Sequence, residues 1–193
     1  MTLKRTIWCL AAAACAGLTG CSSITISEVP PSLCPEPEDA QNKTFMYAEG
    51  VQRFECDQDA DGYYWKFVQT EADLFQIFDA TAGILPSQIG YRMGTLTATP
   101  KDGQKFVHQD GSYATSAKVI TNMPVKGKND ISWMLVKTDP SSLGLNKDLR
   151  TFDSVHYVTR MNTKGGMPLS ACEKSSLGSE HESKFSAVYV FWR

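Results

Sequence analysis

From Thr44 to the C-terminus the chain reads as short runs with strand-like composition: "TFMYA", "GVQRFEC", "YYWKFV", "SAKVITN", "ISWMLVKT", "SVHYVTRMN" and "FSAVYVFW". They are rich in Val, Ile, Tyr, Phe, Trp and Thr, which suit a pleated, half-buried surface. The gaps between them hold Asp61-Gly62, Asp102-Gly103 and Asp110-Gly111, dipeptides that favour tight hairpin turns. The pattern predicts an all-β domain over residues 44–193, a single antiparallel β-sandwich or barrel. Two stretches, "ISWML" and "VYVFW", are apolar on both faces, as expected of central strands covered on each side. One stretch has helical spacing. In "TEADLFQIF", Thr70 and Asp73 fit a capping box and Leu74, Phe75 and Phe78 share an apolar face, so a turn or two of helix is expected there. At most one or two short helices are predicted in all.

Before Thr44 the pattern changes. Lys4 and Arg5 precede an apolar run from Ile7 to Ala16, and small residues then lead to Leu18-Thr19-Gly20-Cys21. A charged start, a short apolar middle and a small-residue end make residues 1–20 a secretory signal peptide. The run is well short of the ~20 residues a helix needs to span a bilayer. Leu-Thr-Gly-Cys resembles the lipobox of bacterial lipoproteins, which implies that Cys21 is acylated and becomes the mature N-terminus. Acyl chains insert for about 0.8 kcal/mol per buried CH₂, and two or more anchor stably. The expected address is therefore the bacterial cell envelope, with the membrane as a partner through the lipid anchor. Ser22 and Ser23, where retention at the inner membrane resembles a Cys-Asp start, point to the outer membrane. Residues 21–43 carry Pro30, Pro31, Pro35 and Pro37 among polar and acidic residues. Proline removes backbone donors and favours extended chain, so this segment is expected to be a lipidated tether.

Charge narrows the partners. The formal net charge of the whole chain is −2, and without residues 1–20, which hold two basic and no acidic residues, it is about −4. With no polybasic run, a nucleic-acid partner is not expected. An unknown protein or a small-molecule ligand is.

Chemistry-bearing residues are few. His108 lies two residues before Asp110, on one face if the segment is a strand, as a base and its orienter would be. A polar residue entering an Asp-Gly turn explains it as well. His156 alternates with Val158 and Arg160, and His181 sits between Glu180 and Glu182. No His or Cys pair has zinc spacing, and no G-x-S-x-G or Ser-x-x-Lys occurs. No catalytic residue is assigned. Asp57, Asp59 and Asp61 alternate as in a calcium loop, but position twelve counted from Asp57 is Val68 rather than glutamate, which excludes an EF-hand. A looser calcium-binding hairpin loop is kept beside the plainer reading, an acidic hairpin. In "VTRMNTKGGMPLSAC", Arg160, Asn162 and Lys164 alternate towards Gly165-Gly166. They are expected either to hold the following loop by hydrogen bonds or to form a binding edge for an anion or sugar.

Three blocks together, "GVQRFECD", "ISWMLVKT" and "VTRMNTKGGMPLSAC" followed by "FSAVYVFWR", resemble the uncharacterised family known as domain of unknown function 3455. The likeness covers most of Gly50–Arg193 and is most specific at Arg160–Gly166. A His-Tyr-x-Gly-Pro-x-Trp segment common in that family corresponds here to "IGYRMGTLTA", which lacks the histidine and the tryptophan. Some members carry a malate dehydrogenase label, but no G-x-G-x-x-G follows a strand in this chain, so a nicotinamide enzyme is rejected. Cys56 and Cys172 occupy the family-like cysteine positions. In an oxidising compartment, where structural cystines persist, they are expected to pair and leave Cys34 as a spare thiol. The function expected is that of an envelope lipoprotein with a non-catalytic, disulfide-stapled β domain binding a ligand or another envelope component. The alternatives are a hydrolytic enzyme of unfamiliar type using His108, Asp110 and His156, or an inhibitor of an envelope enzyme.

Overall fold

A computed structural model describes residues 29–36, 42–78, 89–127, 129–139 and 150–193. Cys21 and the expected signal peptide lie outside the described residues. The strands are β1 (Lys43–Asp59), β2 (Gly62–Ile77), β3 (Ile89–Thr99), β4 (Gly103–His108), β5 (Tyr113–Met123), β6 (Trp133–Thr138), β7 (Tyr157–Gly165) and β8 (Glu180–Trp192). Each pairs antiparallel with the next, and β8 returns to pair with β1 from Lys43↔Trp192 to Glu55↔Glu180. The result is a closed up-and-down barrel, so every strand has two neighbours and no edge is left to aggregate. The expected all-β class holds. Helical structure among the described residues is limited to two 3-10 turns, Pro31–Leu33 and Lys174–Ser176.

The helix expected over "TEADLFQIF" is instead the second half of β2. Thr70, Ala72 and Leu74 are buried, while Glu71 and Asp73 pair outside with Arg53 and Arg92. Period two wins because β1 and β3 both offer ladder partners, Gln52↔Thr70 on one side and Thr70↔Ala98 on the other. The register with β3 slips between Leu74 and Phe75. Leu74 faces the core while Ile77 packs against the outer apolar cluster, so apolar residues on both faces of the strand imitate helical spacing.

Two apolar layers flank β8. Inside the barrel, Phe106 meets Tyr189 and Phe191 edge-to-face at 5.3 and 5.2 Å, and Phe152 stacks on Phe191 at 4.5 Å. Outside, Val188, Val190 and Trp192 join Met161 of β7 in a second cluster. The stretch "VYVFW", which reads as apolar on both faces, is therefore covered on both. What covers its outer face is part of the segment expected to be a tether. Val29 and Cys34 pack against that cluster and Leu33 is fully buried. The Leu33 carbonyl accepts from Thr159 Oγ1 at 2.7 Å, and Thr159 Oγ1 in turn accepts from Trp192 Nε1 at 2.9 Å. Cys34 is a free thiol seated in this contact. Elsewhere the outer wall carries ion pairs, Arg53 with Glu71 and Glu182, and Arg92 with Asp73. A charged outside around an apolar inside is the inverse of a lipid-embedded barrel.

Candidate functional site: the mouth of the barrel

In an antiparallel meander, odd strands end where even strands begin. The β1–β2 and β3–β4 hairpins, the start of β6 and the end of β7 therefore meet at one end. There the interior is not filled, and a cavity of about 500 Å³ remains, within the ~300–1,000 Å³ usual for small-molecule sites. Phe54, Trp65 and Phe67 line one side, and Ile131, Met134 and Val136 the other. The polar residues of the lining are Gln52, Thr70, Thr99, Gln104, Ser116, Ser132 and Arg160, and Arg160 is the one that carries a charge.

Arg160 lies on β7 between Met134 of β6 and Tyr189 of β8, and only 7% of it is exposed. Its Nε donates to the Ser132 carbonyl at 3.0 Å. Tyr189 lies behind it: burial pushes the phenol pKa up, and the neighbouring guanidinium pulls against that. Across Met134, Gln104 Nε2 reaches the Met134 sulfur at 3.4 Å, while Gln104 Oε1 is buried with no hydrogen-bond partner. Gln52 is satisfied by donating to Thr70 Oγ1 at 3.2 Å.

The rim is built by the segment after β7. Gly165 and Gly166 have φ of 70° and 93°. A Cβ on Gly165 would stand 2.5 Å from the Lys184 carbonyl oxygen, and one on Gly166 would stand 2.7 Å from Ile131 Cγ2. Both positions combine positive φ with close approach, which glycine alone tolerates without strain. The turn is fastened by Gly166 N–H to Lys184 O at 2.9 Å and Ile131 N–H to Gly165 O at 3.0 Å. Met167 then faces the cavity, Trp65 Nε1 donates to Ser170 O at 2.7 Å, and Cys172 is bonded to Cys56 with Cα atoms 5.5 Å apart. The expected disulfide is present, and it staples the rim of the mouth to β1.

The three residues expected to share one edge do not. In the pairing with β8, β7 slips register between Met161 and Lys164, and Asn162 adopts φ 51°. The bulge breaks the alternation. Arg160 lines the interior cavity, whereas Lys164 lies on the outer wall beside Lys184 and Tyr47. Between them, Asn162 Oδ1 is buried without a partner, and the Thr163 hydroxyl donates to Ile131 O at 2.6 Å.

His108 and Asp110 do meet, at the opposite end of the barrel. Asp110 Oδ2 lies 2.9 Å from His108 Nδ1, and the carboxylate also accepts from the Ser112 hydroxyl, the Ser112 N–H and the Thr151 N–H. Burial acts to raise the Asp110 pKa, but these hydrogen bonds together hold it well below the usual carboxylate range. Histidine, aspartate and serine are in contact, yet in the wrong order for catalysis. Nucleophilic chemistry needs the hydroxyl on the histidine, and here the fully buried Ser112 hydroxyl donates to Asp110 and accepts from Phe152 N–H. His108 Nε2 is buried with no partner, and the ring packs edge-on against Phe152. His156 is exposed, its backbone held by Trp192 O and Thr138 N–H. The group ties the β4–β5 turn to the segment around Phe152 and closes the barrel floor.

At the β1–β2 hairpin, Asp57 is engaged by Lys66 at 2.9 Å. That hydrogen bond, with another from Gln58 N–H, lowers the Asp57 pKa. Asp59 Oδ1 accepts from Asp61 N–H at 2.9 Å. Among the described residues, no three His, Cys, Asp or Glu side chains are grouped to hold a metal ion.

Residues 37–193 match the model of the family described as "Protein of unknown function (DUF3455)". The chain belongs to that family. The matched span takes in all eight strands, the cavity, its rim and both disulfide cysteines, and it leaves out the strap around Leu33. No curated protein and no solved structure matches the chain.

Proposed function

We propose that this chain is an envelope lipoprotein, anchored through Cys21, whose barrel binds a small amphipathic molecule at its mouth without transforming it. The observation that carries the reading is the unfilled, aromatic-lined mouth set against a tightly packed floor. Barrels that hold one small ligand do so in this place. A bridge that fixes the rim keeps such a site preformed, and preorganisation lowers the entropy lost on binding.

Titration of the full-length chain with the neutral fluorophore N-phenyl-1-naphthylamine is expected to give saturable one-to-one enhancement of its emission. Ala98→Trp, which fills the cavity from β3, is expected to abolish it. Equal binding by the variant would put the probe elsewhere and remove the reading. Anchorage has its own measurement. Cells fed labelled palmitate are expected to label the wild-type chain and not Cys21→Ser, and the mature mass is expected to start at residue 21 plus lipid. An unlipidated chain starting elsewhere would end the lipoprotein assignment.

A further inference from the structure

The geometry points to a carboxylate on an apolar body as the ligand of the mouth, with Arg160 as the group that recognises the acid. This rests on the cavity being a binding site and adds the chemical class of what fills it.

A guanidinium stays charged at any physiological pH, and a charge taken out of water is costly unless it is paired. Arg160 is more than nine-tenths buried, yet no ion pair among the described residues includes it. What it has is one backbone carbonyl, Ser132 O, and a neighbouring phenol, Tyr189. Both leave its positive charge uncompensated. A guanidinium presents five donors in a planar fork that fits a carboxylate with two parallel bonds. The same cavity wall carries a second open group. Gln104 Oε1 has no donor, and exchanging the ends of its amide would only leave the other end open. Gln104 and Arg160 flank one side chain, Met134, the first through its sulfur and the second across the β6–β7 ladder. The rest of the lining is predominantly apolar: Phe54, Phe67, Ile131 and Val136 offer nothing to a second charge. A polar pole beside Met134 and an apolar body along these side chains describe an amphipathic monocarboxylate.

The test is displacement of N-phenyl-1-naphthylamine from the full-length chain by decanoate, decanol and decylamine, which share a tail and differ in head charge. Decanoate is expected to displace the probe on the order of tenfold more effectively than decanol, the worth of one hydrogen-bonded charge pair, with decylamine the weakest. In Arg160→Met the preference for decanoate is expected to fall to about one while decanol still displaces, since an apolar residue of similar length is tolerated where a buried charge was. Should that variant not fold, Arg160→Lys keeps the charge and loses the fork, and its ratio is expected to drop below that of the wild type. A wild-type ratio near one, or a ratio unchanged in the folded variants, overturns the assignment of Arg160 and leaves the cavity reading standing. Failure of the probe to bind wild-type protein at all defeats the cavity reading, and the ligand class with it.

Discussion

Replacing Cys56 and Cys172 together by alanine is expected to lower the unfolding free energy by about 4–5 kcal/mol. The bridge joins residues 116 positions apart, and a loop of that length loses roughly 4.7 kcal/mol of denatured-state entropy in the chain-entropy model. Against a typical domain stability of ~5–15 kcal/mol, that is a large share. At about 2–4 °C per kcal/mol for a domain of this size, the midpoint should fall by roughly 8–20 °C. The double replacement is the informative one, because a single replacement leaves a thiol free to pair with Cys34. Guanidinium melts of wild type and double variant, monitored by tryptophan emission, measure the difference. The bridge is also local in effect. It sits where Gly178 N–H bonds Cys56 O at 2.8 Å and Cys56 N–H bonds Ser179 O at 2.9 Å, so amide exchange should rise first between residues 166 and 179. A loss below about 1 kcal/mol would mean that these backbone bonds hold the rim and that the bridge adds little.

Local signals carried well from sequence to fold, and long-range ones did not. The Asp-Gly turns lie where they were read: Gly62 and Gly103 open β2 and β4, Gly111 lies in the turn between β4 and β5, and all three have positive φ. β8 was legible as a strand covered twice because residues facing in, such as Tyr189 and Phe191, and residues facing out, such as Val188 and Val190, are all apolar. β3 and β4 were not legible. "IGYRMGTLTAT" is interrupted by Gly90 and Gly94, and glycine weakens a strand pattern. Yet a Cβ at Gly94 would collide with the backbone carbonyl of Val107 on β4. The residue that hides the strand is the one that lets the two strands approach.

The site was half legible for a related reason. The stretch Arg160–Gly166 was identified as the most specific part of the family likeness, and together with the residues that follow it to Cys172 it forms the wall and rim of the mouth. Its alternation was read as one continuous face, and the bulge at Asn162, which turns Arg160 inward and Lys164 outward, leaves no mark in the residue types. The cavity itself is a property of closure. Gln52, Ala98, Gln104, Met134 and Arg160 become neighbours only when β8 meets β1, and no window of sequence contains them.

The floor beneath that mouth supplies the second large effect: Phe106→Ala is expected to cost about 3–5 kcal/mol, the range for deleting a buried aromatic side chain. Phe106 lies on β4, a strand the sequence pattern did not reveal, and it is fully buried. Its ring meets Tyr189 and Phe191, and through Phe191 it is linked to Phe152, which covers the far end. These contacts come from opposite walls of the barrel, so backbone shifts that would collapse the vacated space are opposed by ladders on every side. Little of the void can close, and the cost should fall at the upper part of the range. Phe106→Leu, which keeps most of the volume, should lose distinctly less. Chemical denaturation of both variants tests the argument, with the disulfide intact so that the unfolded states are comparable. A loss under about 1 kcal/mol for Phe106→Ala would mean that the floor is loosely packed. The contrast between a filled floor and an open mouth, on which the binding site depends, would then have to be given up.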